Sequence, residues 1–339
     1  MKPREIFLRA LRREPTPRPA TGSATSVVTV DLMAELGFGF PEAHLDPGLM
    51  AGLAAAGATV LGFDNVMPLY SVWHESAALG CQVNWGARER MPDCRQAPWK
   101  LGGEPPIPRD WLSRPECRVP LQAISLLKKR LGDQFAVMGK VFGPWTLGYH
   151  LFGVENFLMA TLDDPDAVRR ALAALKEVTV AFALAQVEAG ADALCLGDHA
   201  TRDLCGPEAY RDFLLPVHRE LAERIKCPLV LHICGDTADR IGHIRGSGVS
   251  CFHFDSKVPA AAARELAGDR LALMGGTSNL SVIRSGSAEA VRADVREKLA
   301  ARIDIIGPEC AVPLDAPYGN MVVLSEEVKA AGSMDQRGH

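Results

Sequence analysis

The stretch Leu231-His232-Ile233-Cys234-Gly235-Asp236 puts an imidazole and a thiol two positions apart at the end of an apolar run. Side chains on a strand alternate between faces, so His232 and Cys234 point the same way. Imidazole nitrogen and thiolate sulfur are the ligands Zn²⁺ prefers. A third thiol, Cys310, stands in Gly307-Pro308-Glu309-Cys310 after a separate apolar run. Two thiolates and one imidazole make a neutral three-ligand zinc site with an open fourth position, the pattern of a catalytic site rather than a structural one. A plainer reading stands beside it. A His and a Cys two apart are more often structural, and Cys310 is equally a small residue in a loop.

Several acids and one further histidine end neighbouring runs. Asp255, in Phe252-His253-Phe254-Asp255-Ser256, is a candidate fourth metal ligand. It is equally a cap for a helix starting near Pro259, or a group orienting a ligand from behind. Asp198 and His199 close Gly197-Asp198-His199-Ala200 and face the same site, with helix capping as their plainer role; Asp198 is taken as a catalytic candidate. Glu75 is a second catalytic candidate if it reaches that site, and otherwise a solvated surface acid. Gly242-His243-Ile244-Arg245-Gly246 resembles a corrinoid-binding D-x-H-x-x-G, but Ile241 stands where the Asp belongs, and the segment falls within an expected helix. The chain is not expected to carry its own corrinoid.

These residues need a scaffold that brings the ends of several strands to one place. Strands are expected at Ala24–Val30, Ala58–Phe63, Phe135–Phe142, Ala191–Gly197, Leu229–Cys234, Val249–Phe254, Leu271–Gly275 and Ile303–Gly307. Helices are expected at Pro165–Ala189, Pro207–Ile225, Asp236–Arg245, Pro259–Ala267 and Ala288–Arg302, with a short amphipathic one in the first thirteen residues. Eight apolar strands alternating with helices indicate a (β/α)₈ TIM barrel, whose chemistry sits at the C-terminal ends of its strands. The rival, a doubly wound sheet, would bring a Gly-rich turn after its first strand, and Ser26–Ala34 has none. Residues 1–332 are read as one barrel domain, with a lid-like insertion at about 64–134 after the second strand and a polar tail at 333–339. The insertion holds four of the five tryptophans (Trp73, Trp85, Trp99 and Trp111), and a loop that long usually has a function or structure of its own. A short hairpin and a helix near Leu121–Leu131 are expected inside it; the plainer alternative is a lateral decoration.

Composition narrows the class. The apolar fraction is 47%, the charged fraction 23%, and the net charge −4, as in a soluble globular chain. No basic excess points to nucleic acid. No apolar run is long enough to span a membrane, and the charged first thirteen residues do not read as a leader, so a cytoplasmic protein is expected. Nine widely spaced cysteines, an odd number, do not read as a disulfide framework.

Taken together, several segments resemble the methylcobalamin:coenzyme M methyltransferases of the uroporphyrinogen decarboxylase superfamily. They are Pro41-Glu42-Ala43-His44, Gly62-Phe63-Asp64-Asn65-Val66-Met67-Pro68, Glu75–Cys81, Gly143-Pro144-Trp145-Thr146, Pro207-Glu208-Ala209-Tyr210, and His232-x-Cys234 with Cys310. The likeness runs from about Arg4 to Lys329. It implies an α/β barrel and zinc on His232, Cys234 and Cys310. Decarboxylases of the superfamily carry an Arg-rich segment near the N-terminus, and Pro19–Thr25 has no arginine.

The resemblance also implies a reaction. A zinc-ionised thiol attacks the methyl group of a methylated corrinoid presented by a separate protein, and cobalt leaves as Co(I). The acceptor is a coenzyme M-like thiol or another small methyl acceptor. Alternatives are an upstream enzyme or O-demethylase moving methyl from a methoxy or methylamine compound to Co(I), a tetrahydrofolate-dependent sibling, or a non-catalytic zinc-binding scaffold. Neither nucleic acid nor membrane is an expected partner.

Overall fold

Eight parallel strands carry the fold: β1 (Ala20–Thr21), β2 (Asn65–Val66), β3 (Ala136–Phe142), β4 (Ala193–Gly197), β5 (Leu229–His232), β6 (Cys251–Phe254), β7 (Ala272–Thr277) and β8 (Ile305–Pro308). In this computed structural model, which describes residues 1–335, they hydrogen-bond in the order β1-β8-β7-β6-β5-β4-β3-β2. Every residue of these strands is buried, as expected when helices cover the outside and side chains fill the inside. The expected polar tail, 333–339, lies outside the described residues beyond Asp335.

The seam between β1 and β2 closes the ring by other means. Asp64 N donates to Thr21 O (2.8 Å), and Thr21 N donates to the Asp64 carboxylate (2.9 Å). The Asn65 amide exchanges two bonds with the Ser23 backbone, at 3.1 and 2.8 Å. Arg18 grips Asp64 with two bonds of 2.7 Å, the bidentate geometry in which an Arg–carboxylate pair is strongest. The barrel is therefore complete, but two of its strands are only two residues long.

That seam corrects the first two expected strands. Ala24–Val30 is not a strand: after Gly22 the backbone bonds to Asn65 instead of a neighbouring ladder, and a helix begins at Val30. Ala58–Phe63 ends the alanine-rich helix Pro47–Thr59 and turns into the short β2. The six later strands lie where expected to within two residues. Among the helices, Asp236–Arg245 shrinks to Ile241–Ile244, because the Asp236 carboxylate accepts Ala238 N and holds a turn. Pro207–Arg224 is helical throughout but widens to π geometry over Tyr210–Leu214.

Between β2 and β3 lie the helix His74–Ala78, a two-stranded hairpin pairing Val83–Asn84 with Asp93–Cys94, and the helix Pro115–Leu131. Trp73 stacks on His150 with ring centroids 4.0 Å apart, and Trp85 lies 5.1 Å from His74 and 5.9 Å from His44. The first part of this segment thus packs against the ends of the strands.

Candidate metal centre

β5 ends at His232, and β8 ends at Pro308, two residues before Cys310. The Cys234 sulfur lies 3.1 Å from His232 Nε2, the Cys310 sulfur 3.4 Å from the same nitrogen, and the two sulfurs 3.3 Å from each other. Ligands of a tetrahedral zinc at about 2.3 Å (S) and 2.0–2.1 Å (N) would stand about 3.5–3.8 Å apart. The three groups therefore fit one ion after opening by a few tenths of an ångström. Among the described residues they form the group of metal-ligating type whose donor atoms lie together.

Neighbouring groups fix the three donors. His232 Nδ1 lies 3.3 Å from the carbonyl of His253, which turns Nε2 toward the sulfurs and selects it as the ligand atom. His253 Nε2 in turn meets the Pro308 carbonyl at 2.8 Å, tying β6 to the end of β8. Gly275, at φ +93°, leaves the space that the His253 ring occupies, and a Cβ there would strike the ring. Glu309 accepts Asn279 N (2.7 Å) and Ser256 N (2.9 Å), so the loop bearing Cys310 is anchored to the loops after β6 and β7.

Electrostatics between the sulfurs are those of a shared proton. The Cys310 thiolate is favoured by hydrogen bonding from Cys234 and by His232, while the Cys234 thiol is pushed up by its bond to Cys310 and by burial. A divalent cation held by the two sulfurs and His232 would displace that remaining proton.

Asp255 stands outside the donor group. Its carboxylate accepts Gly235 N (2.8 Å) and Lys257 N (2.9 Å), so it holds the turn that follows Cys234. It does not cap the helix Ala260–Ala267, which has no side-chain cap.

Asp198 is fully buried, and its carboxylate is engaged on both oxygens. One accepts Thr146 N (2.8 Å) and the Thr146 hydroxyl (2.9 Å), and the other lies 3.0 Å from His218 Nε2. His218 Nδ1 continues to the Tyr210 hydroxyl at 3.1 Å. Asp198 thus caps the helix Pro144–Phe152 from the end of the neighbouring strand β4, and a Cβ at Gly143 would collide with its carboxylate. Its backbone N–H donates to the His232 carbonyl at 3.0 Å, a direct link to a candidate metal ligand. His199 N bonds the Thr146 hydroxyl, and the His199 ring meets Phe142 edge-on.

Glu75 is buried at 1% exposure, which corrects the solvated alternative. One carboxylate oxygen accepts Phe142 N (2.8 Å) at the end of β3, and the other has no partner. Burial pushes its pKa up to about 7. The sequence reading missed four groups here: Tyr210, His218, Glu309 and Lys140. The last was visible as a lone charge in the apolar run Ala136–Phe142, a place where lysine is rare unless it has a task.

Comparison with known proteins adds the wider setting. Residues 2–331 match the family described as Uroporphyrinogen decarboxylase (URO-D). A methylated-thiol–coenzyme M methyltransferase of Methanosarcina mazei is 34% identical, covering 86% of this chain and 80% of its own length. A methylcobamide:CoM methyltransferase of Methanosarcina barkeri is 30% identical, covering 94% and 95%. The solved structure of a methyltransferase from Methanosarcina mazei matches with a TM-score of 0.94 at 29% identity, over 98% of this chain and 99% of that one.

Proposed function

The chain belongs to the uroporphyrinogen decarboxylase family, and we propose that within it the protein is a corrinoid-linked methyltransferase. A methyl group passes from a methylated corrinoid, carried by a partner protein, to coenzyme M or a closely similar thiol. The observation that carries this reading is the meeting of His232 Nε2 with the sulfurs of Cys234 and Cys310 within 3.4 Å. The names of the relatives, which specify methyl transfer to coenzyme M, support the same direction.

His232, Cys234 and Cys310 would hold a zinc ion, whose positive charge would favour the ionised form of an incoming thiol near neutral pH, where a free thiol of pKa about 8.5 stays mostly protonated. The chain's own groups do the rest. His253 and Glu309 keep the donors in register, and Asp255 holds the loop after Cys234. Asp198 is a positioning residue, since it bonds the His232 backbone and fixes Thr146 and His218. Glu75 is assigned the proton of the incoming thiol, because its free oxygen and a pKa of about 7 suit an acceptor near neutral pH. The reaction is then a displacement at methyl carbon: the S–C bond forms as the Co–C bond breaks, and the electron pair stays on cobalt. Trp73 stacks on His150, whose ring packs beside Phe142 at the end of β3.

Porphyrinogen decarboxylation finds no support, because Arg18, the arginine nearest the relevant segment, is committed to Asp64 in the barrel seam. No helix among the described residues is long and apolar enough to cross a membrane.

The test is direct. Zinc-loaded protein, methylcobalamin and coenzyme M are mixed and the methylcobalamin spectrum is followed. Its decay, with methylated coenzyme M as product and loss of both in Cys310→Ala, is the expected result. No decay with any thiol, alongside methylation of a Co(I) corrinoid from a methoxy or methylamine donor, would overturn the assigned direction.

A further inference from the structure

Lys140 lies inside the barrel at 3% exposure. Its backbone is paired with the Gln186 side chain on the outer face, at 2.8 and 2.7 Å, so its own side chain belongs to the inner face. The ammonium sits 4.9 Å from the centroid of the Phe142 ring, two residues toward the C-terminal end of β3. The side chain therefore climbs toward the mouth. Among the described residues the other buried or nearly buried cations are paired, as in Arg18–Asp64, Arg240–Asp239 and Lys298–Asp294. Lys140 makes no ion pair among the described residues, and Phe142 is the contact its ammonium has.

A buried ammonium without a counter-ion is unfavourable, and a bound anion relieves it. No carboxylate among the described residues lies within ion-pair distance of it. Its charge is felt at Cys234, Cys195, His199, His253, His74 and Glu75. Four of the six are histidines and non-ligating thiols held neutral by burial. Glu75 stands beyond ion-pair distance with one oxygen engaged by Phe142 N.

Strand register sets the distance to the metal-ligating group. Lys140 pairs with Cys195, and Gly197, two residues further along β4, pairs with His232. Strand spacing of about 4.8 Å and a rise of about 3.3 Å per residue put the two Cα atoms roughly 10–12 Å apart. Both side chains reach inward, so the remaining gap matches a short carbon chain.

We propose that Lys140 receives the anionic end of the methyl acceptor, so that the site selects short thiols ending in a sulfonate or carboxylate over uncharged thiols. This rests on the methyl-transfer reading above and adds a selecting residue to it. The anion completes the charge that the buried lysine lacks, while the thiol end is directed to the sulfurs and imidazole.

Two experiments separate this proposal from the reading beneath it. The first is turnover of methylcobalamin with mercaptoethanesulfonate and with mercaptoethanol, which share a two-carbon spacer and differ in charge. Lys140→Met should raise KM for the sulfonate thiol tenfold or more and leave kcat/KM for mercaptoethanol within about twofold, while Lys140→Arg keeps most of the preference. The second uses ethanesulfonate, which has no thiol, and calorimetry on metal-free protein. Wild type and Lys140→Arg should bind it, and Lys140→Met should not. If no thiol turns over but ethanesulfonate binding still depends on Lys140, the methyl-transfer reading fails and the anion site stands. Equal losses for both thiols, or unchanged ethanesulfonate binding in a folded Lys140→Met, would overturn the proposal. So would recovery of Lys140→Met stability by Glu75→Gln with thiol preference intact, which would make Glu75 the counter-ion.

Discussion

The sulfurs of Cys234 and Cys310 stand 3.3 Å apart although 76 positions separate them in the chain. Two thiols held that close, one favoured as thiolate by its bond to the other, make with His232 a candidate cation site. Replacing either sulfur removes one of three donors and one of two negative charges. Cys234→Ala and Cys310→Ala should therefore each lose most of their zinc by elemental analysis while keeping the fold. Full zinc in both variants would end the site assignment.

Asp255 gives a contrasting expectation. Its two oxygens hold Gly235 N and Lys257 N, so Asp255→Ala leaves two backbone donors to water and loosens the turn after Cys234. Zinc should stay near one per chain, and thermal unfolding should show a loss of about 1–2 kcal/mol. Loss of the metal itself would instead make Asp255 a ligand.

Asp198 should behave as a keystone of the polar network. Its removal strands Thr146 N, the Thr146 hydroxyl and His218 Nε2 in a buried region. Asp198→Ala is expected to be destabilised by about 3 kcal/mol or more in a denaturant titration. Asp198→Asn, which keeps an acceptor for Thr146, should recover part of that loss. Activity that falls further than the folded fraction would support positioning, and activity that tracks the folded fraction would reduce Asp198 to a structural role.

The barrel was legible where burial on both faces leaves an unbroken apolar run, as in Ala193–Gly197 and Leu229–His232. It was misread where side chains replace the backbone ladder. Asn65 and Asp64 close the seam, and nothing in the period-two pattern of Ser26–Val30 announces that those residues have left the sheet. His232, Cys234 and Cys310 were readable because metal-ligating side chains at strand ends carry their own spacing. Lys140 shows in the sequence as a lone charge in an apolar run, but its lack of an ion-pair partner and the links of Asp198 to His218 and Tyr210 do not, because long-range side-chain contacts have no local period. Glu75 shows the other limit: a carboxylate in a Trp-rich segment looks solvated until the segment is seen folded over the strand ends.

His44 is buried with neither ring nitrogen bonded, and its ring stacks on Phe40 at 4.1 Å. Burial, reinforced by His74, lowers its pKa from 6.5 to about 3. The unfolded chain therefore takes up the proton first as pH falls, and stability present above pH 6.5 is lost on the way to pH 3. At pH 5 the loss through His44 should be about 2 kcal/mol. His44→Phe keeps the stacked ring without the titration, so its unfolding free energy should lack that share of the acid loss. An acid limb identical to wild type would show that other buried histidines, such as His150 and His253, carry it.

Glu75 gives the opposite slope. Its pKa rises from 4.5 to about 7 because burial disfavours the carboxylate, with the bond from Phe142 N working the other way. The native state thus holds its proton more tightly than the unfolded chain. Its contribution is complete below pH 4.5, falls between pH 4.5 and 7, and is flat above. The span is about 3 kcal/mol. Glu75→Gln keeps an acceptor for Phe142 N and cannot ionise, so the stability difference between wild type and variant should shrink by that amount from pH 4.5 to 7. The two curves then run parallel to pH 9. Denaturant titrations at intervals across this range measure it directly, and a difference that stays constant with pH would place the Glu75 pKa near its ordinary value. The same variant reports on proton transfer. If Glu75 takes the proton of the thiol, the wild-type rate should rise through pH 7 as the carboxylate forms. Glu75→Gln should be slower above pH 7 and lose that rise, with zinc content unchanged.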